Sequence, residues 1–354
     1  MPRCDPSQPH AGEWRLVLPS SSRPRPPCCG RDNNAFLRDA HACGTEHQRT
    51  FKPTRGKYAL QSPKHGDWPL AHVGGHACTC RGFKDELEWR PSSCDLPAFD
   101  ARRFCSVLAG RSVLFVGDST VEQAASVLMA TLQMDYWGTG ETSCAHSIAV
   151  ADSDTLVRRE YGSRFNRGWT MLEAAQEARS PSIIVASAGA HIYGRDNFSE
   201  MLRHVASHRR RLANSSSFVW MTTLPGGCAP RALVSSPSGT HGFWEALGAR
   251  NAKLWNWPEL ESFAQLARNF WAKTGRQALV LDTSPLLTRV DAHVGSPRGA
   301  EAIAWANASV IAAAARRPFT PRRDCVHWCV PGPLSLVPRL LLNLLETAHS
   351  DLEA

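Results

Sequence analysis

From about residue 100 onward, short apolar runs alternate with stretches that carry apolar residues at helical spacing. The runs that have the composition of buried strands are 112–116, 182–186, 218–221 and 278–282. After the first run, Val121, Leu128 and Leu132 fall on one helical face. Strands that alternate with helices of this length predict a mostly parallel sheet covered by helices on both faces. We therefore predict an α/β fold for residues 96–354.

In an open parallel sheet, ligands bind beyond the carboxyl ends of the strands. The residues that come just after the predicted strands include Ser119, Gly189, Leu224 and Asp282. Because parallel strands end at the same edge of the sheet, we expect their loops to converge there. The strand pattern alone thus predicts where a functional site lies, and it does not indicate which chemistry the site performs.

Residues 1–95 have a different character, and we predict that they form a separate N-terminal subdomain. They are rich in Pro, Gly, His and Cys, and they show no sustained helical or strand period, so we expect irregular structure. The chain has 12 cysteines, most of them in this segment, which favours disulfides and an oxidising compartment. Zinc is the alternative, but the pair Cys78 and Cys80 and the set Cys325, His327 and Cys329 lack the paired spacing of a structural zinc site, so we expect no metal.

Three sequons, at Asn197, Asn214 and Asn307, also point to the secretory pathway. The chain starts with neither a signal peptide nor a membrane-spanning helix. We expect that a targeting segment, with any membrane anchor, lies upstream of this sequence; a cytosolic protein with reduced thiols is the alternative. The net charge of +8 fits either an anionic partner or an ordinary solvated surface, and no motif favours nucleic acid.

The stretch VLFVGDSTVEQ places Ser119 where a strand turns into a helix. A serine there has its backbone N–H at a helix N-terminus, which suits an oxyanion. Its hydroxyl needs a general base to become a nucleophile. The alternative is that Gly, Asp and Ser are here only because they favour turns and helix caps.

The stretch RRDCVHWCVPGP supplies a candidate base, because Asp324 can orient the imidazole of His327 and leave its other nitrogen free. An ordinary turn before the apolar helix LSLVPRLLLNLL is the alternative. In the stretch ASAGAHIYG, the backbone N–H of Gly189 and the ring of His191 are candidate oxyanion donors, although a lone loop histidine is more often structural.

Several stretches together resemble the trichome birefringence-like family of plant polysaccharide O-acetyltransferases, which is related to the PC-esterases and the SGNH/GDSL hydrolases. The resemblance is carried by LEWRPSSCDLPAFDARRFCSVLAGRSVLFVGDST, SAGAHIY, TRVDAHVG and DCVHWCVPGP. It implies an SGNH-hydrolase-like three-layer sandwich that follows a Cys-rich, disulfide-bearing N-terminal segment. The chain departs from the family pattern after Gly-Asp-Ser, where only Gln123 remains of an Arg-Asn-Gln run.

The resemblance implies a catalytic triad of Ser119 as nucleophile, His327 as base and Asp324 as its orienting carboxylate. Residues expected to bind the oxyanion or substrate are Gly189, His191, Gln123 and Asp118. Residues expected in an acceptor groove are Arg289, Asp291 and His293, the last two being rival candidates for the acid–base pair.

The implied activity is transfer of an acetyl group onto a polysaccharide or other glycan hydroxyl through an acyl-enzyme. The acetyl donor, acetyl-CoA or another acetyl ester, would be a co-substrate, and no bound cofactor is expected. The Golgi lumen or the extracellular space is the implied location. The alternatives are a carbohydrate acetyl esterase that uses the same triad and an inactive glycan-binding relative.

Overall fold

The computed structural model describes residues 1–5, 7, 10–16, 87–135, 144–152, 183–190, 192, 194–209, 217–226, 257–275, 278–287, 328 and 332–353. The strands are β1 (Gly12–Leu16), β2 (Leu87–Pro91), β3 (Val113–Gly117), β4 (Ile148–Asp152), β5 (Ile183–Ala186), β6 (Ser217–Met221) and β7 (Leu279–Leu281). The α-helices are α1 (Ala101–Leu108), α2 (Ser119–Asp135), α3 (Arg195–Arg209), α4 (Trp257–Lys273) and α5 (Leu336–Glu353). Short 3₁₀ helices span Cys144–Ser147 and Gly332–Ser335.

The main sheet has five strands in the order β4-β3-β5-β6-β7, and every neighbouring pair is parallel. All residues of β3 and β5 are buried, as expected for strands covered on both faces. The four strands predicted from the sequence are present. The fifth, β4, was not predicted, because its sequence IAVAD is short and alanine-rich and has little of the β-branched character that marks a strand.

Helices cover both faces of the sheet, which confirms the predicted α/β architecture in three layers. Side chains alternate along β3, so that Val113 and Phe115 join one core, while Leu114 and Val116 join the other. The first core also contains residues of α1, α2 and α5, and the second contains residues of α3 and α4. Within the second core, the rings of Phe198 and Phe263 stack with their centroids 4.3 Å apart.

The described ends of the N-terminal segment are ordered as a two-stranded antiparallel ribbon of β1 and β2. The prediction of irregular structure throughout residues 1–95 is therefore wrong at these ends. Each strand has only five residues and its partner lies more than seventy residues away, so no local periodicity in the sequence predicts the pairing. Trp14 and Trp89 face each other across the ribbon, with ring centroids 5.6 Å apart. The subdomain boundary near residue 95 stays a prediction.

A buried arginine joins the segment around β2 to the last helix. Arg339 of α5 is 8% exposed. Its guanidinium donates to the backbone carbonyls of Pro97, Leu96 and Trp89 at 3.1, 2.6 and 3.3 Å, and its Nη1 lies 2.9 Å from a carboxylate oxygen of Glu88. The planar fork of an arginine suits this task, because its donors reach several acceptors from one rigid group.

Two disulfides lie in the described part of the chain, which confirms the prediction of disulfides for the four cysteines that form them. Cys4 bonds to Cys94, which lies 90 residues further along the sequence, and Cys105 bonds to Cys144, which lies 39 residues further along. The first disulfide joins the chain start to the residues that follow β2. The second joins α1 to the 3₁₀ helix that precedes β4.

We predict that reductant lowers the melting temperature. A disulfide that closes a loop of tens of residues restricts the unfolded chain and typically contributes about 2–4 kcal/mol to stability. The double variants Cys4→Ser/Cys94→Ser and Cys105→Ser/Cys144→Ser should each melt at a lower temperature than the wild type, as followed by circular dichroism. A melting temperature that does not respond to reductant or to either double substitution would contradict the prediction.

Candidate active site

The topological switch point of the main sheet lies between β3 and β5. From β3 the chain passes to β4 on one side, and it then returns to β5 on the other side, so β3 and β5 flank the point where the connections diverge. Open α/β sheets bind ligands at such a switch point, beyond the carboxyl ends of the strands. Ser119 follows β3 as the first residue of α2, and Gly189 lies in the loop that follows β5. Two of the predicted site segments therefore lie beside this switch point.

The last residue of β3, Gly117, is a glycine because no side chain fits there. A Cβ on this residue would collide with the side chain of Val121 and with the carbonyl oxygen of Ser187. The close approach lets the loop after β5 lie directly against the first turn of α2. Ser187 N also donates to the carbonyl of Val116 at 3.1 Å, which continues the ladder between β3 and β5 by one residue. The glycine before Asp-Ser is thus required by packing.

Asp118 caps α2 and also holds the loop that follows β5. Its Oδ1 accepts from the backbone N–H of Thr120 at 3.0 Å and from the hydroxyl of Thr120 at 2.6 Å, which is N-cap geometry. Its Oδ2 accepts from the N–H of Ala190 at 3.1 Å. The carboxylate is 5% exposed and both of its oxygens have partners within the protein. The arrangement ties the Ser119 turn to the residue that follows Gly189.

The loops after β6 and β7 join the same edge, as the sequence predicted. The hydroxyl of Thr223 donates to the carbonyl of Ala188 at 2.7 Å, and a Cβ on Gly189 would collide with the methyl group of Thr223. Thr283, just after β7, pairs with Thr222 through its hydroxyl and its backbone N–H, both at 2.8 Å. Thr222 and Thr223 are not among the predicted site residues, although two polar residues directly after a buried strand are a usable signal.

Ser119 opens a helix of 17 residues. The first N–H groups of a helix have no partner within the helix, and the helix dipole adds partial positive charge around them. The backbone N–H of Ser119 belongs to this first turn. Its position at the switch point suits the stabilisation of negative charge on an oxygen held beside it.

Gln123 binds a distant part of the chain. Its Oε1 accepts from the backbone N–H of Trp328 at 3.0 Å, and its Nε2 donates to the carbonyl of Trp328 at 3.0 Å. The exposed fraction of both residues is 0%. If this pairing were lost, a buried N–H and a buried carbonyl would lack partners, which costs roughly 1–3 kcal/mol for each group. Gln123 was predicted to contact substrate, but its carboxamide is buried and both of its polar atoms bind the backbone of Trp328.

The remaining site predictions fall on residues outside the described ranges: His191, Arg289, Asp291, His293, Asp324 and His327. For Ser119 the backbone is described and the side chain is not. Within the described residues, the potential metal ligands that lie close together are Cys4, His10 and Cys94. Since Cys4 and Cys94 form a disulfide, they offer no thiolate to a metal. Among the described helices, none is long and apolar enough to cross a membrane.

Comparison with known proteins identifies relatives along most of the chain. Xyloglucan O-acetyltransferase 1 of Arabidopsis thaliana is 23% identical, in an alignment that covers 79% of each chain. Xyloglucan O-acetyltransferase 4 of Populus trichocarpa is 22% identical and covers 76% of this chain and 74% of its own. Protein trichome birefringence-like 18 of Arabidopsis thaliana is 22% identical over 78% of this chain and 61% of its own.

The chain is related to the trichome birefringence-like proteins. This confirms the resemblance that its motifs carry. No protein-family model matches the chain. A shorter segment is more similar to Xylan O-acetyltransferase 3 of Oryza sativa subsp. japonica, at 45% identity over 47 residues, which cover 12% of this chain and 10% of the rice protein.

We predict that Gly189→Ala destabilises the protein by about 1–3 kcal/mol, because the new Cβ overpacks against Thr223. Thr223→Ser removes the colliding methyl group and keeps the hydroxyl that bonds to Ala188. The double variant should therefore recover at least half of the loss, as measured by urea unfolding. Thr223→Ser alone serves as the control. A double variant no more stable than Gly189→Ala would show that the contact between the β5 and β6 loops is not what requires glycine.

Proposed function

We propose that the protein transfers acetyl groups to polysaccharide hydroxyls through an acyl-enzyme on Ser119. The observation that carries the proposal is the junction of Ser119 and the Gly189 loop at the sheet's switch point, held together by Asp118. The names of the relatives, which act on xyloglucan and xylan, support acetyl transfer as the reaction and a polysaccharide as the acceptor. The parallel strand order and the three layers support our further proposal that the fold is of the SGNH type.

In the first half of the proposed reaction, His327 takes the proton of the Ser119 hydroxyl while its oxygen attacks the acetyl carbonyl of the donor. Asp324 holds the other ring nitrogen and stabilises the imidazolium. The tetrahedral oxyanion is stabilised by the backbone N–H of Ser119, with Gly189 and His191 as further donors. The intermediate collapses, the bond to the donor's leaving group breaks, and that group receives the proton from His327.

In the second half, a sugar hydroxyl attacks the acetyl-serine ester and gives its proton to His327. The ester bond to Ser119 breaks, the acetyl group stays on the sugar oxygen, and the serine oxygen takes the proton back. The acetyl donor, acetyl-CoA or another acetyl ester, is a co-substrate. Residues that we propose for the acceptor groove are Arg289, Asp291 and His293. If water replaces the sugar hydroxyl, the same site acts as an acetyl esterase.

From the described contacts, we assign Asp118 and Gln123 the role of positioning other parts of the site, and not of contacting substrate. Both oxygens of Asp118 accept hydrogen bonds from the protein, and the carboxamide of Gln123 is fully buried against Trp328. Groups engaged in this way are not offered to a ligand. They fix the elements that carry the proposed catalytic atoms.

We also propose that the protein works in the secretory pathway, in the Golgi lumen or outside the cell. The bonds Cys4–Cys94 and Cys105–Cys144 support this proposal, because disulfides persist in oxidising compartments and are rare in the cytosol.

The nucleophile is tested with a fluorophosphonate probe, which labels an activated serine. We predict that the folded wild type is labelled and that Ser119→Ala lowers labelling by at least about 10³-fold, the scale seen when a triad member is removed. Ser106→Ala, at an exposed serine of α1, is the matched control and should label like the wild type. Equal labelling of the Ser119→Ala variant would exclude Ser119 as the nucleophile.

The reaction is tested with an isotopically labelled acetyl donor and oligosaccharide acceptors derived from xyloglucan and xylan. We expect label on the sugar, and we expect Ser119→Ala and His327→Ala to abolish its transfer. Label that appears only as free acetate would assign the site to the esterase alternative. Glycan binding without turnover or probe labelling would assign the protein to the inactive binding class.

A further inference from the structure

The pairing between Gln123 and Trp328 has a consequence for the proposed base. We propose that Gln123 is a positioning residue: its carboxamide holds the backbone of Trp328 and thereby sets the place of the preceding residue, His327, relative to the helix that begins at Ser119. This inference rests on the proposed function, because it concerns the base of the proposed reaction.

The two hydrogen bonds leave one orientation for the carboxamide. Oε1 accepts from Trp328 N and Nε2 donates to Trp328 O, each at 3.0 Å. With the amide turned over, an NH₂ group would face the N–H and a carbonyl would face the carbonyl. Two directional bonds from one planar group resist both translation and rotation of the Trp328 backbone, whereas a single bond would leave it free to pivot.

Covalent geometry carries this constraint to His327. The peptide unit that joins residues 327 and 328 is planar and contains both the N–H that Gln123 binds and the α-carbon of His327. That α-carbon is two bonds from Trp328 N. Holding the N–H therefore restricts the plane that contains the α-carbon of His327, and what remains free is rotation about the bond from that α-carbon to its carbonyl carbon and the side-chain torsions.

The helix carries the constraint to the other reaction partner. Ser119 and Gln123 are separated by one helical turn in α2, so they lie on the same face of a rigid element. The side chain of Trp328 gives a second anchor, because it is fully buried in the same core as Val121 and Val337. The buried indole holds Trp328 in the core, and the two hydrogen bonds from Gln123 orient its backbone.

A buried amide that bonds to backbone can also be purely structural, and the chain offers a matched example. Asn343 of α5 is buried and donates from Nδ2 to the carbonyl of Cys4 at 2.8 Å. This bond joins the last helix to the chain start and includes no residue of the proposed site. Asn343→Ala therefore reports what the loss of a buried amide–backbone bond does by itself.

The first experiment compares the rates of fluorophosphonate labelling of Gln123→Ala and Asn343→Ala, at a temperature where circular dichroism shows both variants folded. We expect Gln123→Ala to slow labelling by about 100-fold, the scale of a misplacement of about 1 Å between reacting groups. Asn343→Ala should label within about twofold of the wild type. Labelling of folded Gln123→Ala at the wild-type rate would overturn the inference.

A second variant keeps the test decisive if Gln123→Ala does not fold. In Gln123→Glu, a neutral carboxylic acid retains an O–H donor for Trp328 O and a carbonyl acceptor for Trp328 N, whereas the carboxylate has no donor. Burial raises the pKa of such a carboxyl group. We therefore expect labelling close to that of the wild type while the acid is neutral, then a descending limb as pH rises, with the protein still folded. A profile parallel to that of the wild type would overturn the inference.

Ser119→Ala separates this inference from the proposed function. If Ser119→Ala labels like the wild type, the proposed function fails and the positioning role fails with it. If Ser119→Ala abolishes labelling while folded Gln123→Ala and Gln123→Glu behave like the wild type at every pH, the proposed function stands and only the positioning role is overturned.

Discussion

The described structure depends on a short parallel sheet whose strands are buried on both faces. Every residue of β3 and β5 is inside the protein, and helices pack above and below them. A buried strand has no place for a polar side chain that acts on a ligand, so such residues are confined to the strand ends. Asp118 and Ser119 directly follow β3 for this reason, and the strand order places them beside the loop that follows β5.

Buried polar ties hold this edge of the sheet together. Asp118 joins the loops that follow β3 and β5, Thr223 joins those that follow β5 and β6, and Gln123 binds the chain next to the proposed base. In a low-dielectric interior such bonds are strong when every partner is present and costly when one is missing. A network of this kind therefore favours a single arrangement of these loops, which is what the proposed acyl transfer requires.

Buried polar contacts also hold the N-terminal segment against the last helix. The Cys4–Cys94 disulfide joins the first residues to the segment around β2. Both contact α5 through hydrogen bonds from Asn343 and Arg339. These contacts use backbone carbonyls as acceptors, so they depend on the path of the chain and only weakly on which side chains surround them. The pairing of β1 with β2 could not be predicted because each strand is too short to show a period of its own.

The sequence by itself determined the α/β class, four of the five parallel strands and the place of Ser119 at a strand-to-helix turn, because local periodicity and turn chemistry carry that information. Only the tertiary structure decided which groups Asp118 and Gln123 bind. Their partners lie 72 and 205 residues away, and a local pattern does not encode which distant backbone group a buried side chain will meet. The resemblance implied substrate contact for both residues, whereas the fold pairs Asp118 with the loop after β5 and Gln123 with the backbone of Trp328.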